Sequence, residues 1–248
     1  MPQEKEIALF VTCLIDNLRP SIGFDVVALL EQSGYKVIVP EAQTCCGQVN
    51  YNGGDNKNAQ KTARKVIDTF LPFETVVVPS GSCGSMIKHH YIELLSDDPD
   101  YQQKAKLLAN KVFELSCFLT EVAQFEARHK IDKKVSYHDA CAGLREMGIK
   151  AQPRQLLSEA GAEIIELAEA ETCCGFGGAF CVKYPDISDA MVSNKIKDAQ
   201  ASGASALVTG DLGCLMNMEG KLNREGVELP VYHFAELLNG KGLEGETH

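Results

Sequence analysis

Short apolar runs alternate with longer stretches of helical period along the whole chain. Residues 7–11 (IALFV) form the first run, and residues 24–32 then place apolar side chains three and four apart, closed by Gly34 at a C-cap position. A second strand is predicted over 36–39, helices over 58–70 and 86–95, and a strand over 75–78 between them. The pattern then starts again. Strands are predicted at 135–137, 163–166 and 206–209, with helices at 153–160 and 187–202, each followed by a glycine, Gly161 or Gly203. Both halves close on similar segments, 112–119 and 231–238, and the first half carries an extra polar stretch over 96–111. Strand, helix and strand with short connections imply parallel sheets and right-handed crossovers. The expected fold is therefore α/β, two tandem Rossmann-like repeats over residues 1–130 and 131–248, joined near residues 130–134.

Composition narrows the function. With 45% hydrophobic and 23% charged residues, the chain has the make-up of an ordinary soluble globular protein. Its 24 basic and 34 acidic side chains give a net charge of −10 without a long basic run, which argues against nucleic-acid binding. The N-terminal residues are charged, and the apolar run after them is too short for a signal-peptide core or a transmembrane helix. A cytoplasmic location is expected, where thiols stay reduced. Ten cysteines in 248 residues then point to metal binding or redox chemistry rather than to a disulfide scaffold.

The cysteines repeat with the folding pattern. Cys13, Cys45, Cys46 and Gly47 recur 128 positions later as Cys141, Cys173, Cys174 and Gly175, while Cys83 is answered by Cys214. On the predicted elements all eight fall just past the C-terminal ends of strands, the edge where open α/β sheets place their sites. Helix N-termini facing that edge favour thiolates, and the glycines let the backbone turn beside a bulky cofactor. One isolated cysteine usually just fills a core, as expected for Cys117. Eight at matched positions are read as metal or cluster ligands. Cys181, in a glycine-rich loop, has no counterpart in the first half and is a candidate spare ligand. His89, His90, His138 and His233 are metal-capable, yet a lone histidine at a strand end such as His138 is ordinarily only hydrogen-bonded. The loop Gly175-Phe176-Gly177-Gly178 lacks the lysine and hydroxyl residue of a phosphate loop, so nucleotide binding is not expected.

With these residues laid out, the chain resembles the cysteine-rich CCG-domain family, which includes the cysteine-rich subunit of heterodisulfide reductase, the iron–sulfur subunit of glycolate oxidase and lactate utilization proteins. The resemblance runs from Cys13 to about Leu238. The family pattern is a single Cys, a Cys-Cys-Gly and then Cys-x-x-Cys; here Met86 and Asn217 stand where the fifth cysteines would. In heterodisulfide reductase such cysteines hold non-cubane 4Fe–4S clusters that cleave a disulfide. Four thiolates per half still suffice for an ordinary 4Fe–4S cluster or for zinc. With two such domains and no ferredoxin-type cysteine spacing, the chain is most similar to the lactate utilization members of the family, and that resemblance implies an electron-transfer subunit of a cytoplasmic L-lactate (2-hydroxy acid) oxidising complex. It would work with a ferredoxin-like iron–sulfur subunit and a third subunit. No flavin motif or acid–base pair for hydride removal is visible, so oxidoreductase activity would belong to the complex. A thiol or heterodisulfide reductase subunit and a zinc-binding structural protein are the alternative readings.

Overall fold

The computed structural model describes residues 5–242; the charged N-terminal residues 1–4 and residues 243–248 lie outside that range. Strands β1 (Lys5–Leu9), β2 (Tyr35–Ile38), β3 (Val76–Val78) and β4 (Val112–Glu114) form one parallel sheet in the order β2-β1-β3-β4. Strands β5 (Lys134–His138), β6 (Glu163–Ile164), β7 (Ala206–Thr209) and β8 (Val231–His233) form a second in the order β6-β5-β7-β8. The register repeats as closely as the cysteines do. Leu9 pairs with Val77, and Tyr137 pairs with Val208, so β1 maps onto β5 at the cysteine offset of 128.

The central strands are buried on both faces, which is why Val76–Val78 reads as an unbroken apolar run rather than an alternation. Three strands per half match the sequence expectation in position, although β6 shortens to Glu163–Ile164. The fourth lies in each closing segment, where three residues pair at the sheet edge before turning into the Leu115–Cys117 or Phe234–Leu238 helix. The extra polar stretch folds as the Pro99–Ala109 helix, started by Asp98 accepting from the Tyr101 amide at 3.3 Å. The helix expected at 24–32 begins earlier, at Pro20, because proline at the first turn lacks only an amide that would be unpaired anyway. Residues 86–95 open with a π-helical turn, Met86–His90.

Alternation along β1 sends side chains to two different cores. Ala8 and Phe10 join an apolar cluster built wholly from the first half, with Val66, Phe70, Met86 and Leu108. Ile7 and Leu9 join a second cluster that runs through both halves, meeting Leu156, Leu157, Leu207 and Leu237. The halves meet through matched pairs of elements. The Pro20–Gln32 helix packs on Phe234–Leu238, and its counterpart Ala151–Glu159 packs on Leu115–Cys117. Likewise the Cys13–Leu18 helix touches Leu212–Glu225, and Cys141–Met147 touches Gly81–Ser85. This is a pseudo-twofold arrangement. At its tightest point a Cβ on Gly81 would lie 2.6 Å from the Gly143 Cα, so only glycine admits the approach. Polar ties cross the same boundary, including Ser80 Oγ to Asp211 at 2.8 Å and Lys241 to Asp25 at 2.7 Å. Among the described residues no helix is long and apolar enough to cross a membrane.

Candidate metal centre

Each repeated cysteine stands past the C-terminal end of a strand. Cys13 and Cys141 open the helices that follow β1 and β5, while Cys83 and Cys214 lie in the first turn of the helices that follow β3 and β7. Thr12 caps the Cys13 helix by accepting from the Ile15 amide at 3.4 Å, and Asp211 caps the Cys214 helix by accepting from Gly213 at 3.2 Å. Cys45-Cys46 and Cys173-Cys174 sit in the loops after β2 and β6. Both loops turn at a left-handed glycine, Gly47 at φ +83° and Gly175 at φ +84°. That turn aims each glycine amide at the first sulfur of the pair, Cys45 at 3.4 Å and Cys173 at 3.3 Å.

The thiols of each half therefore gather. Cys13 Sγ donates to Cys45 Sγ at 3.5 Å, and Cys46 Sγ donates to Cys83 Sγ at 3.3 Å. The same pairings link Cys141 with Cys173 and Cys174 with Cys214. Hydrogen bonds from Cys13 and Cys46 lower the Cys45 pKa to about 2, and those from Cys141 and Cys174 do the same for Cys173. Cys13 and Cys141 are pushed up, because each donates to that thiolate and is partly buried. An all-sulfur donor set in which one thiol of each half is eased toward ionisation suits a thiophilic cation such as zinc or the iron of a cluster.

The positions expected for a fifth cysteine have other tasks. Met86 is fully buried in the first-half core. Asn217 donates its amide to the Cys174 carbonyl at 2.8 Å, and in the first half the Tyr91 hydroxyl donates to the Cys46 carbonyl at 2.7 Å. Spacing singled out Asn217 only as a departure from the family pattern, not as a support for the loop, and nothing in residue type or spacing marks Tyr91. Cys117 stands apart from the thiol sets, with its pKa pushed up to about 12 by burial and then by Glu114. Cys181 reaches the rim of the site but bonds to the Gly178 carbonyl at 3.3 Å rather than to another thiol.

The histidines separate. His233 is structural: it caps the Ala235 amide at 3.2 Å and meets the Pro79 carbonyl at 3.2 Å. His90 pairs with Glu146 at 2.9 Å. His138 is fully buried with neither ring nitrogen hydrogen-bonded, contrary to the ordinary expectation for a strand-end histidine. Burial, followed by the nearby Lys195 charge, lowers its pKa to about 3. Lys195 is itself buried, anchored on the carbonyls of Glu169 and Ala170. The glycine loop 175–178 serves packing, with the Phe176 ring seated so close to Gly213 that a Cβ there would lie 2.4 Å away.

Both thiol sets line one cleft of about 730 Å³ between the halves. Its wall also includes Ser80, Ser82, Arg145, Glu146, Lys183 and Asp211. Two parallel α/β sheets, each presenting a Cys, Cys-Cys-Gly and Cys set at its C-terminal edge, define a duplicated cysteine-rich protein. The chain belongs to the cysteine-rich (CCG) domain family, whose pattern matches residues 7–88 and again 135–219. It is 44% identical over 236 residues to Lactate utilization protein A of Halalkalibacterium halodurans, covering 94% of this chain and 96% of that one. It is 42% identical over 240 residues to Lactate utilization protein A 2 of Bacillus cereus strain AH820, covering 96% and 99%. In fold it is similar to a hypothetical protein from Helicobacter pylori, with a TM-score of 0.72 at 13% identity. That alignment covers 98% of this chain and 50% of the other, so the chain spans half that protein's length.

Proposed function

We propose that this chain is the iron–sulfur electron-transfer subunit of a cytoplasmic complex that oxidises L-lactate or a related 2-hydroxy acid. The observation that carries the reading is the convergence of eight cysteines, as two sets of four, on one cleft. Cys13, Cys45, Cys46 and Cys83 would hold one 4Fe–4S cluster, and Cys141, Cys173, Cys174 and Cys214 the other, within repeats taken as 1–130 and 131–248. Bound clusters would supply one-electron chemistry. The protein's own part is to aim the sulfurs, with the Gly47 and Gly175 amides donating to them and Tyr91 and Asn217 fixing the loop carbonyls. Similarity to proteins named for lactate utilization supports the substrate class. A ferredoxin-like iron–sulfur subunit and a third subunit would complete the complex.

Iron, acid-labile sulfide and zinc analysis of anaerobically purified protein tests the cofactor. Iron with sulfide is expected; stoichiometric zinc without sulfide would point to the structural zinc reading instead. Lactate oxidation with an artificial acceptor is expected only when the partner subunits are added, and robust oxidation by the chain alone would overturn the assignment. The shared cleft favours a second reading. Because both sets face it, a small disulfide seated there would touch both, as a thiol or heterodisulfide reductase subunit requires.

A further inference from the structure

The two thiol sets differ where β1 and β5 differ. Under the register that maps Leu9 onto Tyr137, the next residues, Phe10 and His138, are equivalent; His138 pairs with Thr209, and the residue that corresponds to Thr209 in the first half, following Val77, is Val78. In the first half this place is apolar. Phe10 is fully buried and packs on Phe70 at a ring-centroid distance of 5.3 Å. In the second half the same place is polar and unpaired: His138 Nδ1 and Nε2 and Thr209 Oγ1 are all buried without a hydrogen-bond partner. Buried polar groups ordinarily find partners, and an imidazole standing where the other half keeps a phenyl ring needs a reason to be there.

The reason lies beside it. A ligating ring nitrogen of His138 and the Sγ atoms of Cys174 and Cys214 all lie within 4.8 Å of one another, the one such trio of His, Cys, Asp or Glu among the described residues. Imidazole and thiolate together form a familiar donor set for zinc and for iron. We propose that His138 is a nitrogen ligand of the second-half metal centre, making the two centres chemically unequal. The first-half centre has no counterpart, since Phe10 occupies the position. This inference rests on the metal-binding reading above and adds the identity of a ligand to it.

The test uses the full chain, purified anaerobically after growth on ¹⁵N-histidine and then reduced for pulsed paramagnetic resonance. A nitrogen hyperfine coupling that changes isotope with the label is expected, together with its loss in His138→Phe. Iron and sulfide without any histidine coupling, or a coupling that survives in His138→Phe, would overturn the proposal while leaving the electron-transfer reading intact. Absence of iron and sulfide from the wild-type protein would sink that reading instead. In that case zinc-edge absorption decides, with one nitrogen among the sulfurs supporting the His138 assignment and an all-sulfur shell refuting it. The labelling experiment needs no variant, so a misfolded His138→Phe does not remove the test.

Discussion

Alanine at position 175 is expected to cost more than alanine at position 47, although the two glycines hold the same turn in the two halves. At φ +84° and +83° both are in the left-handed region, where a Cβ costs about 1–2 kcal/mol. The surroundings then diverge. A Cβ on Gly175 would stand 2.8 Å from the Ser188 carbonyl oxygen and 3.1 Å from Met191 Cβ, both on the Pro185–Ala201 helix. That carbonyl belongs to helix backbone, and Ser188 Oγ also donates to the Gly175 carbonyl at 2.9 Å, so loop and helix cannot part freely. Overpacking of this kind adds about 1–3 kcal/mol. A Cβ on Gly47 would meet the Thr62 side chain most closely, at 3.3 Å, and that side chain can give way by a few tenths of an ångström. Gly47→Ala should therefore cost about 1–2 kcal/mol and Gly175→Ala about 2–5 kcal/mol. Urea unfolding of the metal-free protein under reducing conditions measures the difference. With a slope of about 2–3 kcal/mol/M, the added 1–3 kcal/mol should separate the two midpoints by roughly 0.3–1.5 M. Equal midpoints at equal slopes, or a larger loss at Gly47, would refute the reasoning.

Three further outcomes are expected. Arg154 grips the fully buried Asp139 carboxylate at 2.7 and 2.8 Å, so Arg154→Met should cost about 3–5 kcal/mol by stranding a buried charge. Lys134→Ala, at an exposed pair with Glu163, should cost under about 1 kcal/mol, and similar unfolding midpoints for the two variants would count against this. Burial raises the Glu114 pKa from 4.5 to about 7, so its stabilising contribution is full below pH 4.5 and is lost as pH rises through about 7. Glu114→Gln should flatten that fall in a series of urea midpoints against pH, and an unchanged slope would show that another group is responsible. Cys173→Ser should sharply reduce bound metal, because a hydroxyl replaces poorly the thiolate that soft metals prefer, whereas Cys117→Ser should leave metal content unchanged. Elemental analysis of both variants checks the pair, and equal metal loss would mean that Cys117 belongs to the site.

Much of the site was legible because its positions are set by the short ends of strands. Cysteines that recur at a constant offset after apolar runs must fall on equivalent loops, and parallel sheets bring those loops to one edge. The fourth strands, Val112–Glu114 and Val231–His233, were not legible, since three residues carry no period and the pairing that makes them strands is made elsewhere in the chain. The two cores were hidden for a related reason. Ile7, Ala8, Leu9 and Phe10 are all apolar, so the sequence does not reveal that alternate side chains serve different clusters. His138 was legible as a candidate but not as an outlier. Its lack of partners is a fact about space, produced by Thr209, Cys174 and Cys214 arriving from distant parts of the chain.

The shared core explains why duplication yields one cleft rather than two separate sites. Each half alone presents its cysteines at the C-terminal edge of its own sheet. Packing one face of the first sheet against the second half, through Ile7, Leu9 and Leu29 on one side and Leu157, Leu207 and Leu237 on the other, fixes how those edges face each other. The Gly81 and Gly143 contact then draws the helices that carry Cys83 and Cys141 together, so sulfurs from both sets reach the same space. A pseudo-twofold contact of this kind constrains both partners at once, but side chains behind the sulfurs are free to diverge. Phe10 and Val78 have kept one half apolar behind its thiols, while His138 and Thr209 have made the other polar. One core thus holds the two cysteine sets in a fixed mutual position while leaving what backs their sulfurs free to differ.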